Sequence, residues 1–134
     1  MRKQIYPEVT VGPLIFNKKG ELLLVKSRKW GDRLTIPGGH VELFESIEHA
    51  TIRETLEETG LKVKNLKFVC HQEVIQRAIN GVKMHYICFT YSCTASRTKI
   101  RPNEEISSYI WLRLSKALKS NIAPYVRYAI ETYL

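Results

Sequence analysis

The chain has 134 residues, 44% hydrophobic and 25% charged, which predicts a single compact domain over residues 1–134 with its own apolar core. No stretch approaches the roughly eighteen apolar residues of a membrane span, and the basic N-terminus lacks the apolar run of a signal peptide. A formal net charge of +8 favours an anionic partner, a nucleotide or RNA, without selecting one, because the cations are spread along the chain.

Val9 to Phe16 is rich in β-formers, and Pro13 within it predicts an edge strand or a bulge. Asn17-Lys18-Lys19-Gly20 reads as a turn, and Glu21 to Val25 as a buried strand. A basic loop from Lys26 to Arg33 leads into a short extended piece ending at Ile36-Pro37-Gly38-Gly39. The spacing then predicts a helix over Ile47–Thr59, with Ser46 as N-cap and Gly60 just past its end. Leu66–Ile79 and Val82–Cys93 flank Asn80-Gly81, a strong hairpin signal. A further strand is expected through Ser108–Leu112, then a short helix capped by Ser115. Last comes a terminal helix opened by Pro124, with Val126, Ala129, Ile130 and Tyr133 as its core-facing stripe. Cys70, Cys88 and Cys93 are odd in number and form no C-x-x-C, so they read as free thiols in a reducing cytoplasm.

The chemistry concentrates between Gly39 and Leu61. At roughly 100° per helical residue, Glu54, Glu57 and Glu58 fall on one face, while Ile52, Leu56 and Thr59 face away and are expected to pack on the sheet. Like charges so spaced repel, and a hard divalent cation held by carboxylate oxygens is the natural compensation. A solvated acidic face is the alternative that the helix alone leaves open. Arg53 stands beside the cluster, able to fix a carboxylate by a bidentate pair, and Gly38-Gly39 lets the backbone and its carbonyls approach closely.

The segment resembles the Nudix box, G-x5-E-x7-R-E-U-x-E-E-x-G-U, where U is a bulky aliphatic residue. Gly39, Glu45, Arg53, Glu54, Glu57, Glu58, Gly60 and Leu61 match at every fixed spacing. Thr55, at the first aliphatic position, is the one departure within the box. The resemblance implies an α/β Nudix fold, an α/β/α sandwich around a mixed β-sheet with the box as a loop–helix–loop. It implies Mg²⁺ or Mn²⁺ as cofactor, held by Glu54, Glu57 and Glu58 with a carbonyl of Gly38 or Gly39. It also implies Arg53 as an orienting residue and Glu45 as a support for the loop. A general base is expected from Glu57, or from Glu104 or Glu105 in the late segment.

Arg28, Arg33 and Lys26 precede the box and are candidates for substrate phosphates, and His40 and His85 for further substrate contacts, His85 beside Tyr86 on its strand. Trp30 is a candidate base-stacking residue. Pro-Gly-Gly-His-Val-Glu together with His85-Tyr86 is similar to MutT-type nucleoside triphosphate pyrophosphatases, which release a monophosphate and pyrophosphate. No proline or tyrosine marker of the dinucleoside polyphosphate or ADP-ribose subgroups stands near Gln76-Arg77. The alternatives are an ADP-ribose pyrophosphatase, an RNA 5′-pyrophosphohydrolase and a non-catalytic nucleotide sensor. The intact box disfavours the last, and also an isopentenyl diphosphate isomerase. The expected partner is a nucleotide, not a membrane, with nucleic acid in second place and the chain a monomer or homodimer.

Overall fold

The computed structural model describes residues 4–28, 31–77 and 81–134. Trp30 and Asn80 lie outside the described residues, as do the side chains of Gln76 and Arg77. The elements in order are β1 (Glu8–Val11), β2 (Leu14–Phe16), β3 (Leu22–Ser27), β4 (Leu34–Thr35), β5 (Gly39–His40), α1 (Ile47–Thr59), β6 (Val63–Arg77), β7 (Lys83–Ala95), β8 (Ile106–Leu112), α2 (Leu114–Ala117) and α3 (Pro124–Tyr133).

The strands form one mixed sheet organised around β7. Strand β6 lies antiparallel to β7, while β1 and β2 lie parallel to it, Val11 opposite Phe89 and Leu14 opposite Ser92. Pro13 therefore marks neither an edge strand nor a bulge. It interrupts an interior strand whose register on β7 is the same before and after the break. Beyond it the partners diverge: β1 pairs with β5 and β2 with β3. Proline has no N–H to give the ladder, so the break falls where the sheet parts into two wings. Strand β3 pairs with β8 along its length, and with β2 and β4.

Both faces of the sheet are covered, as alternation along β3 makes plain. Leu22 and Leu24 belong to a core with Leu14, Ile36, Val126 and Ile130 of the α3 side. Leu23 and Val25 belong to a second core with Ile15, Leu61, Cys93 and Ile106. A strand buried on both faces reads as an unbroken apolar run, as Leu22–Val25 does. Val126, Ala129 and Ile130 of α3 are fully buried, and the ring of Tyr133 stacks on Phe16 with centroids 4.9 Å apart.

Two further expectations need correction. Ser115 does not cap α2: the cap position is Arg113, with no side-chain bond, and Ser115 lies inside the helix. Nor do Ile52 and Leu56 face the sheet, being 40% and 43% exposed. The buried residues of α1 are Ala50, Thr51, Thr55, Glu58 and Thr59. The Thr51, Thr55 and Thr59 hydroxyls donate to the carbonyls of Ile47, Thr51 and Thr55, so each can enter the core with its polar group satisfied. Thr55 thus fills an aliphatic position of the box from inside the core.

Candidate active site

Helix α1 starts and stops where its sequence directs. The Ser46 hydroxyl accepts from the His49 N–H at 3.1 Å, and Gly60 takes φ 75° and donates to the Leu56 carbonyl. The glycines of the entry segment are required by close approach. A Cβ on Gly39 would lie 2.3 Å from the Glu54 carboxylate carbon, and one on Gly38 would lie 2.2 Å from the Val11 carbonyl oxygen. The Gly38 N–H donates to Glu58 Oε2 at 3.1 Å, tying the entry loop to the helix.

Arg53 is the hub. Its guanidinium forks onto Glu45, Nε to Oε2 at 2.6 Å and Nη2 to Oε1 at 2.9 Å. Nη1 reaches Glu54 at 3.0 Å and Glu57 at 3.1 Å, and Nη2 also donates to the His40 carbonyl at 3.0 Å. Glu45 additionally accepts from the Glu42 N–H and pairs with His49. Above all the Arg53 bonds hold the Glu45 carboxyl down at about 2, and Glu45 in turn raises the Arg53 pKa further. This ion pair fixes the loop before α1 to the middle of the helix.

Glu58 behaves oppositely. Buried at 6% exposure, its pKa is pushed up to about 8, first by desolvation, then by the Glu54 charge and a hydrogen bond to Glu54, then by Glu105. Glu58 therefore holds its proton against Glu54, in a confined site beside Gly38 and Gly39. The late segment docks here too: the N–H groups of Arg101 and Asn103 donate to the Thr59 and Glu58 carbonyls, closing the helix end.

A family model described as NUDIX domain matches residues 6–133. The chain belongs to the Nudix hydrolase family. The fold agrees. A MutT NUDIX hydrolase from Burkholderia pseudomallei superposes with a TM-score of 0.81 at 27% identity, over 96% of this chain and 99% of that one. A MutT protein from Methanosarcina mazei Go1 gives 0.79 at 24% identity, over 98% and 96%. Among curated proteins, the NAD-capped RNA hydrolase NudC of Pectobacterium atrosepticum is 32% identical over 73 residues, 53% of this chain. That match spans only 28% of the relative's length.

Nudix hydrolases generally use divalent metal ions, and the box of this chain fits one in part. Its donors are all oxygens, which suits a hard cation, and the raised pKa of Glu58 beside the Glu54 charge marks a place where added positive charge is favoured. Yet among the described residues no three His, Cys, Asp or Glu side chains converge as a ready metal cage. Glu54 and Glu57 both meet Arg53 Nη1, at 3.0 and 3.1 Å, and Glu57 is the exposed member of the three, its side chain 57% exposed.

The remaining candidates are scattered around the box. His40 is half-exposed, with Nε2 2.7 Å from Glu8 Oε1 and its ring edge-on to Tyr86. His85 is held by its backbone between the two ends of the Gln4 amide, and its Nε2 is buried without a partner among the described residues. Arg28 and Arg33 are exposed and form no ion pair among the described residues. Glu104 and Glu105 are exposed in the turn before β8, and Glu105 reaches the box by its charge on Glu58. Sequence reasoning missed Glu8, Gln4 and Asn103. Each meets its partner across a long stretch of chain, so no local pattern marks it.

No helix among the described residues is long and apolar enough to cross a membrane. The three cysteines are free and buried, and desolvation raises the thiols of Cys88 and Cys93 to about 11 and about 12.

Proposed function

We propose that residues 1–134 act as one Nudix domain that hydrolyses the diphosphate linkage of a nucleotide, with a nucleoside triphosphate as substrate and a monophosphate and pyrophosphate as products. The observation that carries this reading is the Arg53 network, which brings Glu45, Glu54, Glu57 and the His40 carbonyl to one guanidinium beside the Glu54–Glu58 pair. Mg²⁺ or Mn²⁺ would be held by Glu54, Glu58 and Glu57, with the Gly39 carbonyl beside them. Bound there, the ion supplies charge neutralisation on the diphosphate and a water acidified toward neutrality. Arg53 positions the carboxylates. Glu57, the exposed member, serves as general base, with Glu105 and then Glu104 as the nearest acidic groups of the late turn. His40, steadied by Glu8, and His85, whose Nε2 has no partner among the described residues, contact the nucleotide, and Arg28 and Arg33 meet its phosphates. Three buried thiols suit a cytoplasmic setting.

A second reading has support from the curated relatives, whose printed name gives NAD-capped RNA as substrate. It keeps the same linkage and site but changes the leaving group. Product analysis on nucleoside triphosphates, ADP-ribose, NAD, and triphosphorylated and NAD-capped RNA separates the two. Fastest Mg²⁺-dependent turnover on a free triphosphate supports the first reading, and a preference for the RNA ends replaces it with the second.

A further inference from the structure

One end of the sheet is basic. Phe16, Thr94 and Lys64 are register partners in one row, and the chain just beyond that row carries Lys18 and Lys19 in the β2–β3 turn and Arg97, Lys99 and Arg101 after β7. All six of these cations are exposed, and none forms an ion pair among the described residues. The acid nearest to them in the turn, Glu21, is engaged by the Asn17 side-chain amide at 2.9 Å. Between the turn and the segment after β7 lies a surface hollow of about 370 Å³, lined by Lys18, Lys19, Ser96, Thr98 and Trp111 and by the hydrogen-bonded Asn17 and Glu21. The Trp111 indole N–H donates to the Thr98 carbonyl at 2.8 Å, which fixes the partly buried ring as one wall of the hollow.

We infer that this hollow and its basic rim are a second binding site, for a single-stranded polynucleotide. An indole wall accepts a nucleobase of any sequence, but only a base free of a duplex can reach it, and the lysines take the flanking phosphates. The site is continuous with the acid cluster along the chain. Thr98 lines the hollow, and the same segment reaches the helix end where Asn103 donates to the Glu58 carbonyl. A strand held at Trp111 and led along Arg97, Lys99 and Arg101 would run toward the end of α1 that carries the box. Only that last step rests on the hydrolase reading of Glu54, Glu57 and Glu58; binding at the hollow does not.

The test is fluorescence anisotropy of a labelled oligoribonucleotide with a 5′-hydroxyl, which offers the box no diphosphate. The Lys18→Ala, Lys19→Ala variant should bind at least about ten-fold more weakly, with a salt slope smaller by about 1.4, two phosphate contacts at roughly 0.7 each. Trp111→Leu should weaken binding by roughly ten-fold, and Trp111→Phe should restore most of it. Hydrolysis of free nucleotides by the lysine variant should equal that of the parent. Parental RNA affinity in the lysine variant would overturn the inference, as would a duplex binding as tightly as the single strand. Absence of nucleotide turnover in parent and variant alike would instead count against the hydrolase reading and leave the binding result to be judged alone.

Discussion

At the residue scale, the box works through opposed electrostatics on neighbouring turns of one helix. Arg53 stabilises charge on Glu45, while burial and Glu54 oppose charge on Glu58. Lysine at position 53 keeps the charge but not the planar fork, and so cannot hold Glu45, Glu54, Glu57 and the His40 carbonyl together. Arg53→Lys should lower turnover about 100-fold, the scale of a misplaced catalytic group. An unchanged circular dichroism spectrum beside that loss would separate it from misfolding. The Glu58 shift has a pH signature. The folded chain keeps this proton to about 8, and an ordinary carboxyl loses it near 4.5. Between those values the folded state binds more protons, so stability falls as pH rises through that window. Glu58→Gln cannot ionise and escapes the loss. In metal-free buffer its Tm should exceed the parent's by several degrees at pH 8, with the gap closing near pH 4.5. Equal melting at pH 8 would refute the assignment.

At the scale of elements, the loop between β5 and α1 is tightly held yet strained. Phe44 sits at φ 66° and is 98% exposed, a conformation that disfavours any residue with a Cβ, with no packing to offset it. Phe44→Gly should therefore stabilise the fold by about 1 kcal/mol, read as a higher Tm. Ser46→Ala removes the cap on the His49 N–H and should cost about 1 kcal/mol. These elements also show what a sequence can disclose. The Ser46 cap, Gly60, Pro124 and the box spacing are local, and each was readable. The buried face of α1 was not. Rotation of a helix on a sheet is decided by tertiary contact, and threonines bonded to their own helix pass as polar until seen buried.

At the scale of the whole molecule, the early break at Gly12-Pro13 matters most. It parts the sheet into two wings, and the Gly38-Gly39 entry to the box packs against Val11 at that parting. The buried strand at Leu22–Val25 and the pairing of β6 with β7 were foreseeable from apolar runs and turn residues. The interior placement of a proline-broken strand and the docking of residues 101–103 on the end of α1 were not, because both depend on partners far away in sequence. The charge is likewise divided, with acids at the box and, beyond Phe16 and Ala95, cations that form no ion pair among the described residues.

The most direct test of the account is the initial rate of diphosphate cleavage by the parent and by a Glu57→Gln, Glu58→Gln variant, each with Mg²⁺ and with EDTA. The account predicts turnover only by the parent with Mg²⁺, and a folded variant that releases no product. Cleavage that persists in EDTA or in the variant, or none by a folded parent on any nucleotide, would contradict it.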